Sequence, residues 1–292
     1  MPADQISTFP CQICYACIPL LGSSRLFFLM ESTTFAHHLL KNKNKIMKIL
    51  VGISKAPDTT TKISFTDSNT KFNEDKVQFI VNPYDEWYAL VRGLELKEKN
   101  GGSVTTITVG GSDHDPIIRK ALAIGADDAV RINAEPTDGY FVAKQIAEYA
   151  KDQGFDLVLV GKETINYGGS QVGGMLAEML DMPFVSVASK LEIEGSKATL
   201  ERDAQGGIEV LEGELPMVIS CAKGMAEQRI PNMRGIMAAR SKLLNIVEPT
   251  DSPALTEVVE YSLPSDKGDV KLIDPENMDE LVRLLHNEAK VI

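Results

Sequence analysis

Short apolar runs alternate with segments of helical periodicity from Met47 onward, and this alternation limits the possible folds more than any other feature. Runs such as KILVGI (48–53) and DLVLV (156–160) are as apolar as strands buried on both faces of a sheet. In the segments between them, apolar residues recur as they do on one face of a helix. We therefore predict an α/β fold with a doubly wound, mostly parallel sheet. The predicted strands are 48–53, 104–109, 128–132 and 156–160, and the predicted helices begin after Asp85, after Asp113, at Gly139 and near Ser170, with Gly125 ending the second.

The pattern changes after Pro183, where apolar runs follow one another without helices between them. Glycines at 195, 206 and 207 separate several of these runs, as turns between strands require. This pattern predicts an antiparallel or mixed extension of the sheet. The runs are 184–188, 190–194, 198–203, 208–213 and 216–221.

The last part of the chain has a different composition. Residues 227–242 are rich in Pro, Met and Arg and are predicted as a loop, and 247–269 contain three prolines and are predicted as extended. An amphipathic helix is predicted over 277–289. We expect an α/β domain over 47–245, followed by a C-terminal extended arm and helix over 246–292.

Residues 1–46 share no pattern with the rest. Cys11, Cys14 and Cys17 have the spacing of iron–sulfur ligands, but the next position of that motif is Leu21 and no Cys-Pro follows, so a cluster is disfavoured. Basic residues follow the first apolar stretch instead of preceding it, which argues against a signal peptide. We expect this extension to be disordered or to reflect a mis-assigned start, with Met47 as the natural start.

Charge and hydropathy exclude two classes of partner. The net charge of −11, without a basic stripe, disfavours nucleic acid. No apolar run approaches the roughly 18 residues of a membrane span, so no membrane insertion is expected. With Cys221 as the only cysteine beyond residue 46, a disulfide framework is not expected and a reducing compartment fits.

The segment GKETINYGGSQVGG (161–174) joins a predicted strand to a predicted helix. Ser170 is a suitable N-cap, Gly168 and Gly169 allow close backbone approach to a ligand, and free amides at a helix start favour an anion. The segment is neither G-x-G-x-x-G nor a Walker A loop, so nucleotide hydrolysis is unsupported. By itself, the turn is equally consistent with glycines that serve only the backbone geometry.

Five segments in order resemble the beta subunit of electron-transfer flavoprotein, over nearly all of 47–292. They are KILVGISKAPD (48–58), NPYDE (82–86), ALAIGAD (121–127), GKETINYGGSQVG (161–173) and RIPNMRGIMAARSK (229–242). The resemblance implies an α/β domain that binds AMP structurally and contacts an FAD held mainly by an alpha subunit. It implies an electron carrier, not an enzyme, with no catalytic residues and no metal. His114 and His286 are isolated in the sequence and suggest no catalytic group.

The resemblance also implies the residues of the cofactor site. Tyr84 and Thr59 would approach the flavin, and the amides of Ser170, Gln171 and Val172 would bind the phosphate. The AMP site would comprise Gly52, Asn82, Pro83, Tyr84, Asp85, Val109, Gly161, Lys162, Glu163, Thr164, Ile165, Asn166, Tyr167, Gly168, Gly169, Ser170, Gln171 and Val172.

Two alternatives stay open at this point. The first is an electron-bifurcating beta subunit, which would bind a second FAD in place of AMP and use NADH. The usual acidic residues of the turn are replaced by Asn166, Tyr167, Gly168 and Gly169, and the stretch typical of electron-bifurcating members is also missing. We favour AMP over a second FAD. The other alternative is a stand-alone nucleotide-binding or nucleotide-hydrolysing α/β protein.

Segment 229–242 resembles the loop with which the family docks its partners. Acyl-CoA or other dehydrogenases would donate electrons, and a quinone reductase would accept them, as in fatty acid β-oxidation. The protein would be located in the cytoplasm of a bacterium or in the mitochondrial matrix of a eukaryote. The apolar residues could instead be the core of a local helix, because their spacing fits one helix face. The docking residues would be Met233, Arg234, Ile236, Met237 and Arg240.

Overall fold

The structure is a computed structural model, and it describes residues 46–265, 268 and 270–292. Apart from Ile46, the predictions on residues 1–46, including the cysteines at 11, 14 and 17, lie outside the described residues. Within the described part, no helix is both long and apolar enough to cross a membrane.

A nine-stranded sheet forms the centre of the fold, in the order β11-β10-β9-β12-β8-β1-β6-β7-β13. Its inner strands are almost completely buried, with Leu50, Val51, Leu157 and Leu159 inaccessible to solvent, as their apolar sequences require. The strands are β1 (Met47–Gly52), β6 (Gly102–Val109), β7 (Asp128–Ile132), β8 (Leu157–Gly161), β9 (Phe184–Glu194), β10 (Lys197–Ala204), β11 (Gly207–Glu214), β12 (Met217–Cys221) and β13 (Leu244–Val247).

Helices follow the parallel strands, so the predicted α/β fold with a mostly parallel sheet is confirmed. Side chains cap three of the helices: Asp138 accepts from the Phe141 amide at 2.7 Å, and Asn232 and Asn277 act in the same way. Gly125 ends the second helix with φ 152°, a conformation that favours glycine. The helices are α1 (Asp85–Asn100), α2 (Asp115–Ile124), α3 (Gly139–Ala150), α4 (Val172–Leu180), α5 (Met233–Ala239) and α6 (Met278–Leu284).

The chain reverses its direction of strand addition between β1 and β8. In the sheet, β6 and β7 lie on one side of β1. The chain then returns to β8 on the other side of β1, and β12 and β9 lie beyond β8 in the sheet. β1 and β8 are parallel neighbours. Ligands of such sheets bind in the crevice outside the carboxyl ends of the strands at this reversal. The crevice therefore lies beyond Gly52 and Gly161.

The antiparallel extension is confirmed, with one difference. The two short strands predicted at 184–188 and 190–194 are one strand, β9, which pairs in parallel with β12 and antiparallel with β10. An irregularity in register falls near Ala188 on both sides, and Val187 has φ 58°. This bulge re-aims the strand without ending it, which the residue pattern did not indicate.

Two further features were not predicted. Residues 55–81 form a lobe that carries two small pairs of strands: β2 (Lys55–Pro57) with β5 (Phe79–Val81), and β3 (Phe65–Thr66) with β4 (Lys71–Phe72). β13 joins the main sheet in parallel beside β7, so the sheet continues past residue 245 and the arm begins at Glu248. These strands are two to four residues long, too short for periodicity to show.

Candidate functional site

The carboxyl ends of β1 and β8 form the floor of the crevice, and a glycine lies at each. A Cβ at Gly52 would lie 3.2 Å from Val160 Cγ1. A Cβ at Gly161 would lie 2.7 Å from Glu86 Cγ and 3.1 Å from the Glu86 amide nitrogen. Gly161 therefore lets the first turn of α1 pack directly on the end of β8.

Asn82 joins the two sides of the crevice. It is fully buried; its Nδ2 donates to the Glu163 carbonyl oxygen at 2.9 Å, and its Oδ1 accepts from the Ile165 amide at 3.1 Å. One side chain therefore holds the β8–α4 turn against the segment before α1. The resemblance implied that Asn82 lies beside adenosine. The structure shows in addition that Asn82 fixes the β8–α4 turn.

We expect Asn82→Ala to loosen the β8–α4 turn. The change leaves the Glu163 carbonyl and the Ile165 amide without their buried partner, at a cost of about 1–3 kcal/mol. Hydrogen–deuterium exchange should become faster over residues 162–171, while α3 exchanges as in the wild type. Unchanged exchange over 162–171 would contradict this role.

The turn itself is held by local contacts. The Gly168 amide donates to the Thr164 carbonyl at 2.8 Å, Lys162 pairs with Glu163 at 2.8 Å, and Ser170 Oγ donates to Glu163 Oε2 at 3.1 Å. The prediction that Ser170 caps the helix is wrong. α4 begins at Val172, and Ser170 is left-handed (φ 51°) with its hydroxyl turned to Glu163. The amides of the first helical turn have no partner within the helix and are suited to an anion.

The glycines of the turn differ in their surroundings. A Cβ at Gly168 or Gly169 would meet no atom within 4 Å, so both border open space. A Cβ at Gly173 would lie 3.0 Å from Val160 Cγ2 and from the Phe184 ring, which explains the close packing of α4 on the sheet. At Gly174 the corresponding distance is an ordinary 3.6 Å. The open glycines therefore fit a cradle for a ligand.

Tyr84 and Asp85 lie where β5 leads into α1. Tyr84 has φ 67° and ψ −95°, a rare conformation for a residue other than glycine, and its side chain is exposed. Burial raises the pKa of Asp85, and the nearby Lys162 opposes this shift. Val109 is buried at the end of β6, and Thr59 is exposed in the lobe.

Glu86 was not assigned a role from the sequence, although it stands in the NPYDE segment. Only 7% of its surface is exposed, and its carboxylate accepts from the Ser54 amide at 2.7 Å and from Ser54 Oγ at 2.8 Å. Burial raises the pKa of Glu86 to about 8, despite these hydrogen bonds. A carboxyl whose pKa is raised to about 8 therefore lies in the first turn of α1, against Gly161.

Segment 229–242 forms a second candidate surface. The predicted loop contains helix α5, and the side chains of Met233, Ile236 and Met237 are 74%, 40% and 60% exposed. The alternative that they form a core is therefore wrong for this chain. The opposite side is fixed, because Arg119 Nη1 donates to the carbonyls of Ala239 and Lys242 at 2.8 Å each. Arg234 and Arg240 are also exposed.

Among residues 46–265, 268 and 270–292, no three His, Cys, Asp or Glu side chains are grouped as a metal site. Cys221 is fully buried, and burial raises the pKa of its thiol. His114 is buried with Nδ1 3.2 Å from Asp113 Oδ1, and His286 Nδ1 lies 3.1 Å from the Ile292 carbonyl.

A family model described as the electron transfer flavoprotein domain matches residues 69–252. The chain belongs to the electron transfer flavoprotein family. It is 39% identical over 260 residues to the "Electron transfer flavoprotein subunit beta" of Bacillus subtilis, covering 84% of this chain and 100% of the relative. It is 34% identical over 256 residues to the mitochondrial beta subunit of Oryza sativa subsp. japonica, with coverage of 84% and 100%.

The beta subunit of Homo sapiens is 32% identical over 211 residues, which cover 70% of this chain and 82% of the relative. All these relatives are named as beta subunits, so the family and subunit type expected from the five segments are confirmed. Electron transfer follows as the general function of this family. The family match includes the turn at 161–174 and segment 229–242.

Proposed function

We propose that this chain is the beta subunit of a heterodimeric electron transfer flavoprotein that binds AMP structurally and helps to pass electrons through an FAD shared with an alpha subunit. The observation that carries the proposal is the crevice at the strand reversal, whose turn is held by Asn82 and opens at Gly168 and Gly169. The family membership gives this crevice its context.

The residues of the crevice fit a nucleoside monophosphate. The first-turn amides of α4, together with Ser170 and Gln171, would hold the phosphate, because they are free of helical partners. Adenosine would lie along Gly52, Asn82–Asp85 and Val109, at the ends of β1 and β6 and before α1. The remainder of the turn, 161–169, would close the other side.

Acidic side chains lie close to the turn. Asp85 and Glu163 lie beside Lys162, and Glu74 and Glu135 lie near the Tyr167 phenol. We propose AMP in this crevice because the stretch typical of electron-bifurcating members is missing from the turn. An electron-bifurcating subunit with its own FAD and NADH is the second candidate.

FAD would bind between the two subunits. Tyr84, which precedes α1, and Thr59, in the lobe, are exposed and would approach the flavin from this side. When bound, the flavin supplies the redox chemistry, and this chain supplies position and electrostatics. The arm and helix 246–292 would contact the alpha subunit, since Leu255, Val259, Val270 and Leu272 expose between 63% and 89% of their surfaces.

Heterodimer formation tests this function. Co-expression with an electron transfer flavoprotein alpha subunit should yield a yellow complex that elutes as one species in gel filtration. The stand-alone alternative predicts instead that the isolated chain hydrolyses ATP. Failure to form the complex, together with ATP turnover, would reject the proposed function.

The proposed location of this complex is the cytoplasm of a bacterium or the mitochondrial matrix of a eukaryote.

The surface around Met233 would dock the electron donors, which we propose to be acyl-CoA or other dehydrogenases, and a quinone reductase would accept the electrons. Flexible methionines suit a surface that meets several partners, and the two flanking arginines would attract acidic ones.

Met233→Ala is expected to weaken this docking. Loss of a central apolar anchor costs about 2 kcal/mol, which raises the KM for the partner more than tenfold. Reduction of the complex by an acyl-CoA dehydrogenase should show this rise, and reduction by dithionite should not change. The matched control is Val210→Ala, which truncates a similarly exposed residue on the edge strand β11. An equal effect of both variants would contradict the assignment.

A further inference from the structure

The C-terminal arm is fastened beside the start of α3. Gln145 is buried, and its side-chain amide exchanges hydrogen bonds with Thr250, at 2.7 Å to the carbonyl oxygen and 2.8 Å from the amide. Asp138 Oδ2 accepts from the amides of Leu255 and Thr256 at 2.5 and 2.9 Å. Gln145 in α3 and Asp138 at its N-cap therefore hold the arm.

The arm is fastened again on the lobe 55–81. The Tyr261 amide donates to the Asn69 carbonyl at 2.7 Å, and its ring stacks on Phe65 with 5.0 Å between centroids and 10° between planes. The lobe is itself tied to the β6–α2 loop, because Lys55 Nζ lies 2.5 Å from Asp113 Oδ2. Between Thr256 and Tyr261 the arm thus passes from the α3 side of the crevice to the lobe.

The proposed phosphate turn meets this path. At its carboxyl end, a Cβ on Gly139 would lie 3.4 Å from Gln171 Oε1, so the start of α3 adjoins the start of α4. At its tip, the surrounding protein raises the pKa of the Tyr167 phenol, and the charges of Tyr261, Glu135 and Glu74 act in the same direction. The start of α3, where Asp138 holds the arm, therefore adjoins the carboxyl end of the turn, and charges on the arm, the lobe and the β7–α3 loop act on its tip.

We propose that arm residues 248–261 form a strap that retains the nucleotide, with the Phe65–Tyr261 stack as its latch. This inference rests on the proposed AMP site. Gln145 and Asp138 hold the strap on the α3 side, and the stack of Tyr261 on Phe65 holds it on the lobe. Opening of the latch would precede release, so its strength should set the rate at which AMP leaves and not the chemistry of the flavin.

Nucleotide exchange from the purified heterodimer tests the strap. The complex would be mixed with excess ¹⁵N-labelled AMP, and mass spectrometry of the protein-bound fraction would follow replacement over time. Tyr261→Ala and Phe65→Ala should each speed release about tenfold, as expected for loss of a stacked aromatic pair. The double variant should be no faster than either single one, because both remove the same contact. Tyr261→Phe keeps the ring and should behave as the wild type.

Val210→Ala is the control, since Val210 lies on the edge strand β11, outside the arm and the lobe, and exposes 63% of its surface. Wild-type exchange rates in Tyr261→Ala, or equal acceleration by Val210→Ala, would overturn the strap while leaving AMP binding intact. If Tyr261→Ala fails to assemble, Phe65→Ala and Tyr261→Phe still give the comparison. A wild-type complex that contains no AMP would reject the proposed function itself, which is a different result.

Discussion

Gly161→Ala is expected to destabilise the protein and to empty the nucleotide crevice. The new Cβ would lie 2.7 Å from Glu86 Cγ and 3.2 Å from Asp85 Cβ, both in the first turn of α1. Since this contact is too short for a Cβ, α1 or β8 has to move, at a cost of about 1–3 kcal/mol. The same movement displaces Asn82, which precedes α1 and holds the β8–α4 turn. Urea unfolding would measure the first effect, and the AMP content of the complex the second.

Gly207→Ala is the control for this experiment. A Cβ at Gly207, the first residue of β11, would meet no atom within 4 Å. Its free energy of unfolding should stay within about 0.5 kcal/mol of the wild type, as for most surface changes. Equal stability and equal AMP content in Gly161→Ala and wild type would show that α1 does not need to approach β8 so closely.

Glu86 should make the protein less stable as the pH rises. Its pKa is raised from 4.5 to about 8 in the folded state, so the folded state holds a proton that the unfolded state has lost. The unfolding free energy therefore falls as the pH rises from about 4.5 to about 8. The stabilising contribution of Glu86 is greatest at the acid end of this window. The slope is about 1.4 kcal/mol per pH unit, so the total is on the order of a few kcal/mol.

Glu86→Gln removes this dependence, because glutamine keeps the shape and cannot ionise. At pH 8.5 the variant should be more stable than the wild type by about 2 kcal/mol or more, and near pH 5 the two should be similar. Urea unfolding at both pH values measures the difference. Glu194→Gln, at an exposed position before the β9–β10 turn, should show no such crossover. A wild-type stability that rises from pH 5 to 8.5 relative to Glu86→Gln would contradict a neutral buried Glu86.

The sequence predicted those parts of the fold that depend on periodicity. β1 and β8 are buried apolar runs, and α1 and α2 carry one apolar face each, so short-range patterns identify them. β13 and the lobe could not be predicted in this way, because their strands are short and are stabilised by distant partners such as β7. The bulge in β9 likewise depends on the neighbouring strands, not on its own residues.

The candidate site was predicted in position and only partly in its contacts. The glycine pattern identified the turn, but Ser170 binds Glu163 instead of capping α4, since the helix begins two residues later. Nothing in the sequence showed that Asn82 holds the turn or that Ser54 reaches Glu86, because these pairs are 32 or more residues apart. The residues assigned to AMP, to the flavin and to docking stay predictions.

Identification of the nucleotides released from the heterodimer tests the central claim most directly. The purified complex would be denatured, and the supernatant would be separated and quantified by liquid chromatography and mass spectrometry. We expect one AMP and one FAD for each heterodimer. Two FAD without AMP, or FAD without any second adenine nucleotide, would contradict the account of the crevice between β1 and β8.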